Sequence, residues 1–175
     1  MNYFTNAWFN TSKLVDFGIE KGWNFKQAFV GYFIACLSVF ISVPKLDFLG
    51  NAGFILYPII ALVFAVILSY IVPAVFFFIG KIWKGKRTFR DYRIIFGLSL
   101  IPEIINLIYK SFSYAILDDP EKENGILTLL ITVISVRILT IGIAKTQKFS
   151  YDIALLNVLL PSIIFGLIYV SLYYI

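Results

Sequence analysis

The stretch Lys81–Pro102, KIWKGKRTFRDYRIIFGLSLIP, decides how the chain is read. Lys81, Lys84, Lys86, Arg87, Arg90 and Arg93 fall within thirteen residues, opposed only by Asp91. Apolar runs flank them, Gly53–Ile79 before and Ile94–Tyr109 after. Short basic loops beside spanning helices stay in the cytoplasm, because anionic lipid and the membrane potential oppose their export. Gly85 breaks the chain between the two runs. Thr88 and Asp91 have capping-box spacing, a hydroxyl for the first free amides and an acid in the first turn. The pattern predicts a helix from near Phe89 that enters the bilayer around Ile94. Trp83 sits where an interfacial aromatic belongs.

Composition agrees. Of 175 residues 60% are hydrophobic and 14% charged, and the mean hydropathy is +0.88. A soluble domain is usually about half apolar and a quarter charged. One integral membrane domain is expected. The net charge of +5 does not indicate nucleic acid, because the bases lie beside oily runs rather than on a polar face interleaved with stacking aromatics. The chain has no His and one Cys. That excludes His-based catalysis, Cys/His zinc sites and an internal disulfide. Cys36 lies inside an apolar run and reads as a buried thiol. No phosphate-binding glycine loop, HExxH or GxSxG is present. Asp118 and Asp119 read as a solvated acidic turn rather than a metal site. The expectation is a non-enzymatic protein without a cofactor.

Working outward, residues 1–26 are too short and too polar to cross. Asn10, Thr11 and Ser12 offer a helix start and Gly22 a stop. Leu14, Val15, Gly18 and Ile19 fall on one face, with Lys13, Asp16 and Glu20 on the other. That predicts an interfacial amphipathic helix, anchored by Trp8, Phe9, Trp23 and Phe25. Residues 27–175 read as five spans, at about 27–43, 53–79, 94–109, 126–144 and 151–175. The predicted fold is an all-α integral membrane bundle of five transmembrane helices with that N-terminal helix beside it. Pro58 and Pro73 should kink or tilt the second span. The loops at 44–52 and 117–125 should face away from the cytoplasm. With the N-terminus inside, eleven Lys and Arg lie in the inner segments and three in the outer ones, Lys45, Lys110 and Lys122. The C-terminus is then outside. LSLIPEII at 98–105 and NVLLPSII at 157–164 each follow a basic loop and a Phe. Spans two and three, and four and five, therefore read either as two copies of one hairpin or as chance among oily residues.

Glu103 and Arg137 are the ionisable residues expected deep in the hydrocarbon. Glu103 is ten residues from Arg93, ~15 Å at the helical rise, and Arg137 is eight from Lys145, ~12 Å. They form a candidate ion pair, with Arg137 alternatively snorkelling to the inner surface. Asn106 and Asn157 are candidate groups for bonds between helices.

The chain resembles the Yip (Ypt-interacting-protein) family of five-span membrane proteins. The carriers are KRTFRDY at 86–92 running into FGLSLIP at 96–102, and Phe149 followed by LNVLLP at 156–161. Leu98 stands where the family usually has an aromatic. A DLYGP-type segment and a long polar N-terminal domain, which in eukaryotic members go with Golgi residence and Rab-type GTPase binding, do not occur in this sequence. The resemblance is to the compact prokaryotic members and implies the bacterial inner membrane. The expected role is a scaffold that organises protein partners, a homo-oligomer or membrane lipids through the basic contact Lys81, Lys84, Lys86, Arg87, Arg90 and Arg93. The alternative is a small transporter or channel component that uses Glu103 and Arg137. A lipid-modifying enzyme is a third, weaker reading.

Overall fold

A computed structural model describes residues 3–22, 24–41, 53–86, 88–117 and 124–173. Eight helices occur among them: α1 (Tyr3–Phe9), α2 (Thr11–Lys21), α3 (Phe25–Ile41), α4 (Gly53–Ile82), α5 (Phe89–Ser99), α6 (Glu103–Leu117), α7 (Gly125–Gln147) and α8 (Tyr151–Tyr173). The described residues contain no strand. The loops expected at 44–52 and across 118–123, Trp23 and Arg87 lie outside the described residues.

Among the described residues two helices are long and apolar enough to cross a membrane, α4 over Leu56–Ile82 and α7. The pair α5 and α6, bent by 42°, makes a third if counted as one broken span. α3 and the Tyr151–Pro161 part of α8 are apolar as well. Isoleucines, leucines and phenylalanines of α4, α7 and α8 lie exposed, among them Leu62, Ile71, Leu130 and Leu156. In water such a belt would aggregate; facing lipid it is at its lowest free energy.

The short helix α5 lies at the centre. It packs against α3, α4 and α7. The capping box forms as its sequence predicts, with both Thr88 N–H and Thr88 Oγ1 donating to Asp91 Oδ2 at 3.0 and 2.9 Å. Its buried residues reach two cores. Tyr92 and Ile95 join Phe76, Ile143, Ala154 and Val158 from α4, α7 and α8. Ile94 and Leu98 join Leu14, Ala28 and Ile138 from α2, α3 and α7.

A smooth third span over 94–109 is not what forms. Helix α5 ends at Ser99, three residues turn, and α6 runs on to Leu117. The reason is Pro102, which carries no N–H and crowds the carbonyl four residues back. The chain bridges the break with tighter bonds to the third residue back. Leu100 N–H reaches Gly97 O at 3.3 Å, and Glu103 N–H reaches Leu100 O at 3.0 Å. Lys110, assigned by sequence to an outer loop, is buried within α6.

Helix α2 forms within its predicted limits, and its apolar face points as expected. That face meets protein rather than lipid. Leu14, Val15 and Gly18 are buried, α2 packs on α7, and Lys145 of α7 pairs with Asp16. Lys145 Nζ also donates to Ser12 O at 3.3 Å.

Where α3 crosses α5 the backbones touch. A Cβ on Gly31 would collide with the carbonyl of Gly97, and one on Gly97 would collide with the carbonyl of Ala28. Small residues let two helices approach so closely, which is how packing gains strength where burial from lipid contributes little. Backbone on both sides leaves nothing able to move aside. Gly97→Ala is expected to cost roughly 1–3 kcal/mol, read as a lower unfolding temperature in detergent. Gly125→Ala, where no atom lies within 4 Å of the new Cβ, should leave it unchanged.

Candidate functional site

The basic loop is folded by its own backbone. After α4, Lys84 takes the left-handed conformation, φ 59°. Its N–H donates to Lys81 O and that of Gly85 to Gly80 O, both at 3.0 Å. These bonds satisfy carbonyls that a helix end leaves free. Lys81 folds back over the Phe77 ring at 5.2 Å and donates to Gly85 O at 3.2 Å. Thr88 then caps α5. Lys84, Lys86 and Arg90 remain exposed.

The chain builds the same device a second time. After α7, Lys148 is also left-handed, φ 58°, and Phe149 N–H donates to Ala144 O at 2.9 Å. Ser150 opens α8, its Oγ accepting from Ile153 N–H at 3.4 Å. Both hairpins therefore close on a left-handed lysine and restart on a hydroxyl residue. The likeness ends further along, because α8 runs unbroken through Pro161. The two hairpins lie side by side. A Cβ on Gly85 would come within 2.8 Å of Gln147 Oε1 and 3.2 Å of Phe149 Cζ. Lys84, Lys86, Arg90 and Lys148 so share one end of the molecule, next to the paired Lys145.

A cleft of about 390 Å³ opens beside them, between the end of α2, the start of α5 and the end of α7. Ile19 and Ile94 line it with Thr88, Arg90, Asp91 and Thr146. The Asp91 carboxylate is already occupied by the cap. Among the described residues no group of three or more Cys, Asp or Glu gathers to hold a metal.

Arg93 leaves the basic set. Its side chain is half-buried, with Cζ 3.7 Å from the Tyr70 ring centroid and 4.2 Å from that of Phe25. Phe89 closes a third side at 6.0 Å. Nε donates to Ser69 O at 2.9 Å and Nη2 to Ser69 Oγ at 3.1 Å. That carbonyl is free because the residue four further on is Pro73, which has no N–H to give it. The guanidinium replaces the missing helical bond, and the rings stabilise its charge. Tyr32 of α3 donates to Arg93 O at 2.7 Å. One residue thus fastens α3, α4 and α5. Sequence reasoning placed it in the contact surface; Ser69 and Pro73 carried the signal, legible only once α4 and α5 are set in register.

Glu103 opens α6, half-buried, and accepts from Asn106 Nδ2 at 3.2 Å. Arg137 is exposed on α7. The structure does not join them; an ion pair forms elsewhere, between Lys145 and Asp16. Asn106 is spent inside α6. Asn157 does link helices, donating to Phe76 O of α4 at 3.4 Å while fully buried. Cys36 is a buried free thiol.

The sequence matches the family model of the Yip1 domain over residues 14–173. No curated protein matches it, and no solved structure does.

The Arg93 arrangement is testable by a double-mutant cycle. Arg93→Lys keeps the charge but loses the flat donor pair, and should cost about 1–3 kcal/mol. Pro73→Ala restores an N–H to Ser69 O. In that background the cost of Arg93→Lys should fall by half or more, measured by unfolding in detergent.

Proposed function

The chain belongs to the Yip1 domain family, and on that premise we propose that it is a non-enzymatic membrane scaffold acting through its basic end. The observation that carries the reading is the meeting of the two hairpins. It gathers Lys84, Lys86, Arg90 and Lys148, which are separate in sequence, on one exposed surface.

In this reading α3, α4, the broken pair α5–α6, α7 and α8 make five crossings. The basic end is cytoplasmic by the charge rule, with α1 and α2 on the same side and the end of α8 outside. The membrane would be a bacterial inner membrane. The surface is suited to an acidic protein segment, with lipid headgroups as a second contact. Arg93 serves the scaffold in this reading, its guanidinium held by Ser69 and Tyr70, while Lys81, bonded to Gly85 O, stays exposed beside the contact. The alternative is a small transporter or channel component that uses Glu103 and Arg137, which within one chain are not paired with each other.

The test is an affinity capture from native membranes in mild detergent, read by mass spectrometry. Wild type is compared with a variant carrying Lys84→Gln, Lys86→Gln, Arg90→Gln and Lys148→Gln. The expected result is a reproducible partner whose recovery falls at least ~tenfold in the variant, as for loss of several rim charges. A partner held equally by both proteins, or none in either, overturns the reading.

A further inference from the structure

We propose that the face of α7 carrying Arg137 is a contact with a second copy of this chain, in which each Arg137 pairs with Glu103 of the other copy. The inference rests on α7 crossing the bilayer. It does not depend on whether the basic end recruits a partner.

Arg137 is the thirteenth of the 23 residues of α7, close to the middle of the span. Ile126, Leu130 and Val133 precede it at spacings of four, three and four, and all are exposed with it. They form one outward stripe of a helix. A guanidinium on such a stripe faces hydrocarbon, where a bare charge is too costly to persist. Escape to the surface is poor. The nearer end is the C-terminal one, eight residues and ~12 Å away at Lys145. Side chains on a helix lean toward its N-terminus, so that of Arg137 leans away from that end and toward the centre of the span.

The complement is Glu103, the other ionisable group at this depth, half-buried, with only Asn106 against its carboxylate. It lies ten residues along the chain from Arg93, ~15 Å if the path were straight. Helices α6 and α7 adjoin, and within one chain Glu103 and Arg137 are not paired with each other. Two copies in one bilayer with the same orientation are related by an axis along the membrane normal. That operation preserves depth and exchanges sides. It makes an isologous contact in which Arg137 meets Glu103 and Glu103 meets Arg137.

The experiment uses charge reversal and mixing. Arg137→Glu and Glu103→Arg are made on differently tagged chains and sized by mass photometry in mild detergent. Wild type is expected to be dimeric, and each single variant should lose its dimer by about tenfold or more, because like charges then oppose. Co-expressed, the two variants should recover a mixed dimer that purifies through both tags, since both contacts of that dimer again join opposite charges. The double variant should dimerise with itself. A monomeric wild type, or single variants that remain dimeric, overturns the proposal. Rescue by the double variant without rescue by mixing also overturns it, because the pair would then lie within one chain. The mixed dimer guards against misfolding, since a chain that cannot fold cannot be rescued by a partner.

Discussion

A proline in α4 leaves one carbonyl without its helical donor, and an arginine from the next helix supplies it. The contact between Arg93 and Ser69 organises the centre of the molecule. A freed carbonyl in an apolar setting is expensive, and so is a guanidinium; each removes the other's cost. The stacked rings of Tyr70 and Phe25 bring α4 and α3 to the same point. Tyr32 adds a bond from α3 to the backbone of Arg93. The register of three helices is thereby fixed at one residue. The close passage of α3 and α5 at Gly31 and Gly97, about one turn further on, follows from that register.

Those glycines explain why so short a helix as α5 can sit at the centre. Eleven residues cannot cross a bilayer of ~30 Å. They can be surrounded, and α3, α4 and α7 do so. Residues of α5 join the core shared with α4, α7 and α8 and the core shared with α2, α3 and α7. The amphipathic α2 closes the basic end by laying Leu14 into the second of these.

Much of this was legible because it is local. The capping box at Thr88 and Asp91, the limits and faces of α2, and the buried thiol of Cys36 depend on neighbours along the chain or on a single period. What was not legible depends on rotation about a helix axis. Sequence gives how deep a residue lies, by counting rises from a charged boundary. It does not give which way the residue faces. Glu103 and Arg137 were matched in depth, yet one is half-buried in α6 and the other looks outward from α7. Arg93 was grouped with the surface bases by proximity, although its helical phase turns it inward. Pro102 was visible, but whether a proline bends a helix or ends it depends on the packing around it, and Pro161 is accommodated without a break.

The two left-handed lysines carry a consequence of their own. A side chain in that conformation crowds its own backbone, at a cost of order 1 kcal/mol that glycine or, to a degree, asparagine escapes. Glycine is the usual residue at such a helix close. This chain carries lysine at the close of both α4 and α7, φ 59° and 58°, with Gly85 directly after the first. Conformational ease has been given up twice at equivalent points of two hairpins, and each time the same positive charge was gained. The strain at both points is accompanied by a cation at a helix C-terminus, where the helix dipole favours positive charge.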